Sequence, residues 1–382
     1  MWKTTEGSTG RLLQLCAAYF FFYVLTGVTV KVFTGPAAAG FPGMPELAFL
    51  IYSTFGSTLV CLGVIFAKGW HRATNPTLVA LGPLRFPREY LYIIPSGVCT
   101  AVVIPTTTLM YMLPISVMVA MVIMRASVII ISRAVDEVQI RQGILHKKVF
   151  WEENAAVVFA LCAAGVHLLM VKPGDFDFIH NPAAVAILSS YILVYSIRIY
   201  IMNYYKNTRP KGAPLDNKWF FSIEQIAATT VMLLATAALL ACPACLGGDA
   251  PALTIFRDAV FVPHARWPSA TLAGTAYGMV AFFSVFIFMF KGRTATFAGL
   301  VNRLTSLVAG TAATLLFWLI YGGKPPKPQD WISLGLILVA VAFLSSAEKR
   351  RAAELAAEAD SGAPGTGALP AAAAACAPPK IR

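Results

Sequence analysis

Ten apolar runs, each about as long as a membrane-spanning helix, cover most of this chain. A helix rises ~1.5 Å per residue, so about 20 apolar residues cross the ~30 Å hydrocarbon core of a bilayer. The predicted spans are residues 11–33, 46–67, 89–110, 114–134, 153–171, 182–204, 219–242, 268–290, 294–321 and 329–347. Of the 382 residues, 58% are hydrophobic and only 13% are charged. The sequence therefore predicts an all-α polytopic protein whose helices lie in a lipid bilayer.

Lysine and arginine residues are distributed unevenly over the connections between these spans. Alternate connections and the two chain ends hold 21 of them, whereas the other connections hold 5. Because basic residues accumulate on the cytoplasmic side, both termini are predicted to be cytoplasmic. The net charge of +12 mostly reflects this bias, and we expect no nucleic-acid partner. The compartment stays open between the Golgi or another endomembrane of a eukaryote and the inner membrane of a bacterium.

Ten spans divide into two sets of five, and an odd number of spans per half requires that any internal repeat be inverted. We therefore predict a cytoplasmic N-terminus at 1–10, a first five-helix repeat at 11–171 and a second at 182–347. Residues 348–382, rich in Ala, Gly and Pro, are predicted to form a disordered cytoplasmic tail.

The ninth span carries Arg303 nine residues from its start, about 14 Å along the helix and so near the bilayer centre. An arginine at this depth costs ~2.5 to 3.5 kcal/mol on insertion, so it normally faces a cavity, a partner or a substrate rather than lipid. Arg125 has a similar place in the fourth span. Asn302 precedes Arg303, and Gly299 belongs to a face of small residues that is suited to close packing.

Acidic residues that could neutralise these arginines are scarce within the spans. Glu224 is the clear candidate, and Arg198 lies at a similar depth, so we expect these two to form a structural or gating pair. Arg125 and Arg303 then lack an anion, which an anionic substrate would supply. The alternative, that both arginines are paired and serve only structure, stays open. Lys31, near the outer end of its span, is expected to extend its amine toward the headgroups.

Other recognisable sites are few. Tyr111 and Tyr277 are candidate cavity residues, although aromatic residues in spans more often serve packing. The chain contains no phosphate-binding loop, no dinucleotide-binding glycine motif and no His-Glu-x-x-His zinc motif. We therefore expect no catalytic site, no cofactor and no metal, and transport that does not consume ATP. The predicted substrate-binding residues are Arg303, Asn302, Arg125, Gly299, Tyr111 and Tyr277.

Several strings resemble the drug/metabolite transporter superfamily, and within it the nucleotide-sugar and sugar-phosphate exchangers. Val28–Lys31 followed by Gly40–Pro42 is similar to an Asn-Lys then Phe-Pro arrangement in the first span, with Val30 at the usual Asn position. Leu109–Val117 resembles the start of the fourth span, and Met124–Ala126 its basic residue. Ala298–Leu304 is similar to the Gly-Ala-Leu-Asn-Lys motif that contacts the nucleotide in GDP-mannose transporters, with Arg in place of Lys.

The seventh span departs from this resemblance. Phe220–Gln225 stands where those transporters carry Phe-Tyr-Asn-Asn to read the base, so the identity of any nucleotide stays open. If the alignment holds, Glu224 and Gln225 face the site, and Glu224 does not pair with Arg198. The sequence does not decide between these two arrangements.

The sequence and the resemblance together predict a secondary transporter or antiporter. Its substrate would be an anionic, phosphate-bearing metabolite, a nucleotide sugar or sugar phosphate, moved by alternating access. An efflux carrier of the same fold for neutral or cationic compounds is an alternative, and it would need Glu224 as its acid. A non-transporting structural or regulatory membrane protein is a second alternative. Homodimer formation is also left open.

Overall fold

The computed structural model describes residues 7–72, 78–81, 84–112, 117–166, 180–209, 215–241, 251–322 and 325–360. The helices in these ranges are α1 (Thr9–Thr34), α2 (Glu46–Ala67), α3 (Tyr90–Met112), α4 (Val117–Arg141), α5 (Trp151–Gly165), α6 (Pro182–Asn207), α7 (Asn217–Ala241), α8 (Pro251–Phe261), α9 (Trp267–Phe288), α10 (Ala295–Tyr321) and α11 (Pro328–Asp360). A 3-10 turn covers Ala37–Ala39. Between α2 and α3, strands β1 (Leu78–Leu81) and β2 (Leu84–Pro87) form an antiparallel hairpin.

Eight of these helices are long and apolar enough to cross a membrane, namely α1, α2, α3, α6, α7, α9, α10 and α11. The protein is therefore a helical, multi-pass integral membrane protein. The other two predicted spans coincide with α4 and α5, which do not meet the same criterion in the described residues. Five charged side chains interrupt α4, and α5 is described over 15 residues. The short helix α8 was not predicted.

Helix pairs approach closely where glycine faces backbone. A Cβ atom added to Gly274 of α9 would lie 2.1 Å from the carbonyl oxygen of Ser53 in α2. Gly97 of α3 would likewise meet the Glu224 carbonyl oxygen of α7 at 2.7 Å. Small residues permit such approaches between membrane helices, where lipid gives no hydrophobic driving force for association. The extensive helix contacts are α1 with α9 and α10, α2 with α9, α3 with α6 and α7, α4 with α6 and α10, and α5 with α11.

Helix α11 extends beyond the predicted span. Residues 348–360 are helical, whereas the sequence predicted a disordered tail from 348; residues 361–382 lie outside the described part. Glu348 explains the extension, because it is buried and pairs with Arg293. Its Oε1 also accepts a hydrogen bond from Thr9 Oγ1 at 2.8 Å. The start of α1 and the last part of α11 therefore lie at the same end of the bundle, called the basic end below.

Candidate functional site

Helix α10 is fixed at its N-terminus by two side chains. Thr294 Oγ1 accepts a hydrogen bond from the Phe297 amide at 3.1 Å, as an N-cap residue does. The Asp136 carboxylate of α4 accepts two more, from the amides of Ala295 (2.7 Å) and Thr296 (2.6 Å). These bonds satisfy free helical N–H groups and place a negative charge at the positive end of the helix dipole. They hold α10 against α4, two turns before Arg303.

Arg303 points into the bundle toward α6. Its Nη2 donates a hydrogen bond to Tyr195 Oη at 2.6 Å, and its Cζ lies 5.2 Å from the centre of the Tyr195 ring. Its Nε is buried and has no hydrogen-bond acceptor among the described residues. Buried donors are nearly always satisfied, so this one marks a place where the guanidinium has capacity left for a ligand.

Tyrosines from two helices surround this guanidinium. Tyr19 and Tyr23 of α1 and Tyr191 and Tyr195 of α6 all lie within electrostatic range of Arg303. The ring centroids are 5.6 Å apart in the first pair and 5.2 Å in the second. Phenol hydroxyls can both donate and accept, so the cluster provides hydrogen-bonding groups without adding charge. The sequence reasoning missed Tyr19 and Tyr23, although the i, i+4 spacing shared by the two pairs is visible in the chain.

Tyr277 of α9 is near this cluster. It is half-buried and lies within electrostatic range of Tyr23 and Tyr195. Tyr111 belongs to the last turn of α3, and its side chain lies outside the part that the structure describes. The structure thus brings Tyr277, but not a described Tyr111 side chain, near Tyr23 and Tyr195 of the tyrosine cluster.

Arg125 lies against the same face of α10 as Arg303. A Cβ atom added to Gly310 would lie 3.6 Å from Arg125 Nη2, and Gly310 is two helical turns beyond Arg303. Arg125 forms no hydrogen bond or ion pair with any described residue. Lys31 also lies against this face, because its Nζ donates to Thr314 Oγ1 at 2.8 Å. Three cations therefore follow one side of α10.

Glu224 and Arg198 form a buried, two-pronged ion pair. Arg198 Nε lies 2.9 Å from Glu224 Oε1, and Arg198 Nη2 lies 3.1 Å from Glu224 Oε2. Ser96 and Thr100 of α3 donate to the same Oε1 at 2.7 and 3.2 Å. Glu224 is 0% exposed. Its carboxylate is engaged within the protein, so Glu224 is not free to bind a cationic ligand in this conformation.

Asn302 and Gly299 serve helix packing in this conformation. The Asn302 side-chain oxygen accepts from Tyr19 Oη at 3.5 Å, and its nitrogen donates to Ser284 Oγ at 2.9 Å. Asn302 is 1% exposed, and both of these hydrogen bonds are made inside the bundle, one to Tyr19 of α1 and one to Ser284 of α9. Gly299 faces α4, where an added Cβ would lie 2.2 Å from Ser132 Oγ.

The Gly299 contact makes a direct prediction. Gly299→Ala should destabilise the protein by about 1 to 3 kcal/mol, because the new methyl group overlaps both Oγ and Cβ of Ser132. The melting temperature in detergent measures this loss. Gly335→Ala is the matched control, since an added Cβ there meets nothing within 4 Å. Ser132→Gly should recover much of the loss in the Gly299→Ala background. Equal melting temperatures for Gly299→Ala and Gly335→Ala would contradict the close packing.

The fold and these contacts define a class of protein: a multi-pass helical membrane protein in which cations from three helices, not all of them paired, follow one side of an inner helix. No known family model matches the chain, and no curated protein matches it. A solved structure described only as "crystal structure of protein" is similar, with a TM-score of 0.57 and 13% identity. The similarity covers 90% of this chain and 100% of the other. At that identity the likeness concerns the fold alone.

Proposed function

We propose that this protein is a secondary transporter or antiporter of an anionic, phosphate-bearing metabolite. The observation that carries this proposal is the charge of the inner face of α10. Arg303 and Arg125 have no carboxylate partner in the described residues, whereas Arg198 is fully neutralised by Glu224. A cation in a membrane interior needs an anion or a polar cavity. A phosphate group bound between these arginines would meet that need.

The positions of the cations suit an extended ligand. Arg303, Gly310 and Thr314 lie on one side of α10 and span about 16 Å along its axis. The three cations are distributed over that length. Arg303 lies at its start, Arg125 lies beside Gly310, and Lys31 binds Thr314. A guanidinium can hold two phosphate oxygens at once, and bonds between charged partners are about twice as strong as neutral ones. A nucleotide sugar or sugar phosphate has the size and charge for such a site.

Ten spans in two inverted sets of five are also part of the proposal. Exchanging α1 to α5 with α6, α7, α9, α10 and α11 in that order converts each major helix contact into another one. The α2–α9 contact becomes α7–α3, α1–α10 becomes α6–α4, and α1–α9 becomes α6–α3. The α4–α10 and α5–α11 contacts map onto themselves. Arg125 and Arg303 each lie eight residues after the first described residue of their helix, a match that an internal repeat would produce.

Alternating access is supported by the ionic closure at the basic end. Arg293 and Glu348 join α11 to the residues just before α10. Thr294 Oγ1 donates to Glu153 Oε2 at 2.6 Å, and Arg350 Nη1 lies 2.5 Å from Glu152 Oε1. We propose that this end, with both termini, is cytoplasmic and that these contacts close it between α5, α10 and α11 in this conformation. Substrate would then enter the Arg303 site from the opposite side.

The two alternative functions are less well supported. An efflux carrier for cations needs a free acid near the bundle centre, and Glu224 is engaged by Arg198, Ser96 and Thr100. A purely structural role would leave Arg303 without the carboxylate partner that Arg198 and Arg293 have in the described residues. The resemblance of Ala298–Leu304 to the motif of GDP-mannose transporters favours the anion transporter and a place in the drug/metabolite transporter superfamily.

A thermal-stability screen tests the proposed substrate class. Purified protein is melted with nucleotides, nucleotide sugars and sugar phosphates, and with the matching nucleosides and sugars that lack phosphate. A ligand at 100 times its Kd should stabilise the fold by about 2.7 kcal/mol, and only the phosphate-bearing compounds should do so. Stabilisation by organic cations instead would favour the efflux carrier. Equal stabilisation with and without phosphate would contradict the role given to the arginines.

A further inference from the structure

A cavity of about 590 Å³ lies at the basic end of the bundle, and Arg303 is not among its lining residues. It lies where the N-terminal end of α1, the C-terminal end of α2, the N-terminal end of α7 and the C-terminal end of α9 meet. Its five cationic side chains come from four separate segments of the chain: Arg11, Lys68, Arg72, Lys218 and Lys291. Folding has therefore collected positive charge that the sequence disperses over several connections.

These cations have no acidic partner among the residues that the structure describes. None of the five forms an ion pair with a described residue, and Lys68, Arg72, Lys218 and Lys291 are exposed. Among the described lining residues, one carries a carboxylate: Asp216, whose Oδ1 accepts from the Trp219 amide at 2.9 Å and so caps α7. One acid among five bases leaves a strong excess of positive charge. Like charges held this close repel each other, and an anion with several negative charges would relieve that repulsion.

The walls of the cavity combine this charge with apolar surface. Trp70 stacks on Phe282 with 5.7 Å between ring centroids, and Lys218 Nζ lies 5.9 Å from the Trp70 ring centre. Leu15, Phe286 and Phe290 line the inner part. Tryptophan is enriched where the bilayer meets water, and basic pockets between helices there bind phosphorylated headgroups. The cavity is thus charged at its rim and apolar toward the bundle.

We propose that this cavity is a second phosphate-binding site, specific for anions whose phosphate groups carry more than one negative charge. Two sources share this chemistry: the headgroup of a phosphorylated anionic lipid, and a soluble di- or polyphosphate in the aqueous phase. The site does not depend on the proposed transport function, because the two sites use different cations. The cations of the cavity lie at helix ends, whereas Arg303 lies eight residues inside α10, about 12 Å from the start of that helix.

The test uses the full-length protein in nanodiscs, with two probes. Binding of inorganic pyrophosphate is measured in phosphatidylcholine discs, and the second arm measures retention of a fluorescent phosphatidylinositol phosphate. The double variant Lys68→Gln with Lys291→Gln should weaken whichever probe binds by about 25-fold, at roughly fivefold for each cation removed. The affinity should also fall as salt is raised. Binding of pyrophosphate supports the soluble source, and binding of the lipid alone supports the lipid source.

Matched variants separate this site from others. Arg85→Gln with Arg88→Gln removes two exposed cations from the α2–α3 connection, outside the cavity, and should leave both affinities within about twofold of the parent. Arg303→Ala should also retain this binding, so failure of the transport site would not be mistaken for failure of the cavity. The proposal is overturned if neither probe binds. It is also overturned if the two double variants lose equal affinity, or if Arg303→Ala alone abolishes binding.

Discussion

Glu224→Gln is expected to lower the stability of the protein by about 3 to 5 kcal/mol. The substitution removes the negative charge that neutralises Arg198 and leaves an uncompensated cation in a buried place. The effect should be large because Glu224 is 0% exposed and water cannot replace the lost partner. Thermal melting in detergent, together with the fraction of protein that elutes as a single folded species, measures the loss.

The double variant Arg198→Met with Glu224→Gln provides the control. It removes both charges, while the amide oxygen of the new glutamine can still accept from Ser96. It should be more stable than either single variant, since a buried pair can be replaced by neutral groups at little cost. If Glu224→Gln melts like the parent but alters transport, the ion pair has no structural importance. Glu224 would then belong to the substrate site, as the alternative alignment of the seventh span requires.

The helices could be predicted from the sequence because the bilayer imposes a length on each apolar run. The predicted span 46–67 has the same bounds as α2, and most other predicted ends fall within three residues of a helix end. Charged tertiary contacts could not be predicted this way. Glu348 continues α11 past its apolar part by binding Arg293, and nothing in the local sequence indicates that contact. Helix α8 was missed because 11 residues are too few to cross a bilayer.

The candidate site was harder to predict than the helices. Depth along a helix was enough to nominate Glu224 with Arg198, because both residues are rare charges at similar height in neighbouring spans. Depth says nothing about the direction in which a side chain points. Asn302 is next to Arg303 in sequence, yet a rotation of about 100° per residue directs it to Ser284 and Tyr19 instead. The role of Asn302 in substrate binding therefore remains a prediction that its present hydrogen bonds do not favour.

Arg303→Ala is expected to weaken binding of a phosphate-bearing substrate by about 10- to 150-fold. A hydrogen bond to a charged group contributes about 1.5 to 3 kcal/mol, and this factor follows from that range. The expected loss rests on the free Nε of Arg303 and on the absence of a carboxylate beside it in the described residues. Affinity is measured with whichever phosphate-bearing ligand stabilises the parent protein, and the melting temperature is measured on the same preparation.

Two further substitutions decide whether the guanidinium binds substrate or only supports the fold. Arg303→Lys retains the charge but loses the planar fork, so it should recover only part of the affinity. Arg141→Ala removes an arginine that is exposed on α4 and paired with Glu137, and it should leave affinity unchanged. A structural role for Arg303 would instead lower the melting temperature of Arg303→Ala while the surviving protein binds normally. That result would contradict the assignment of the phosphate to Arg303.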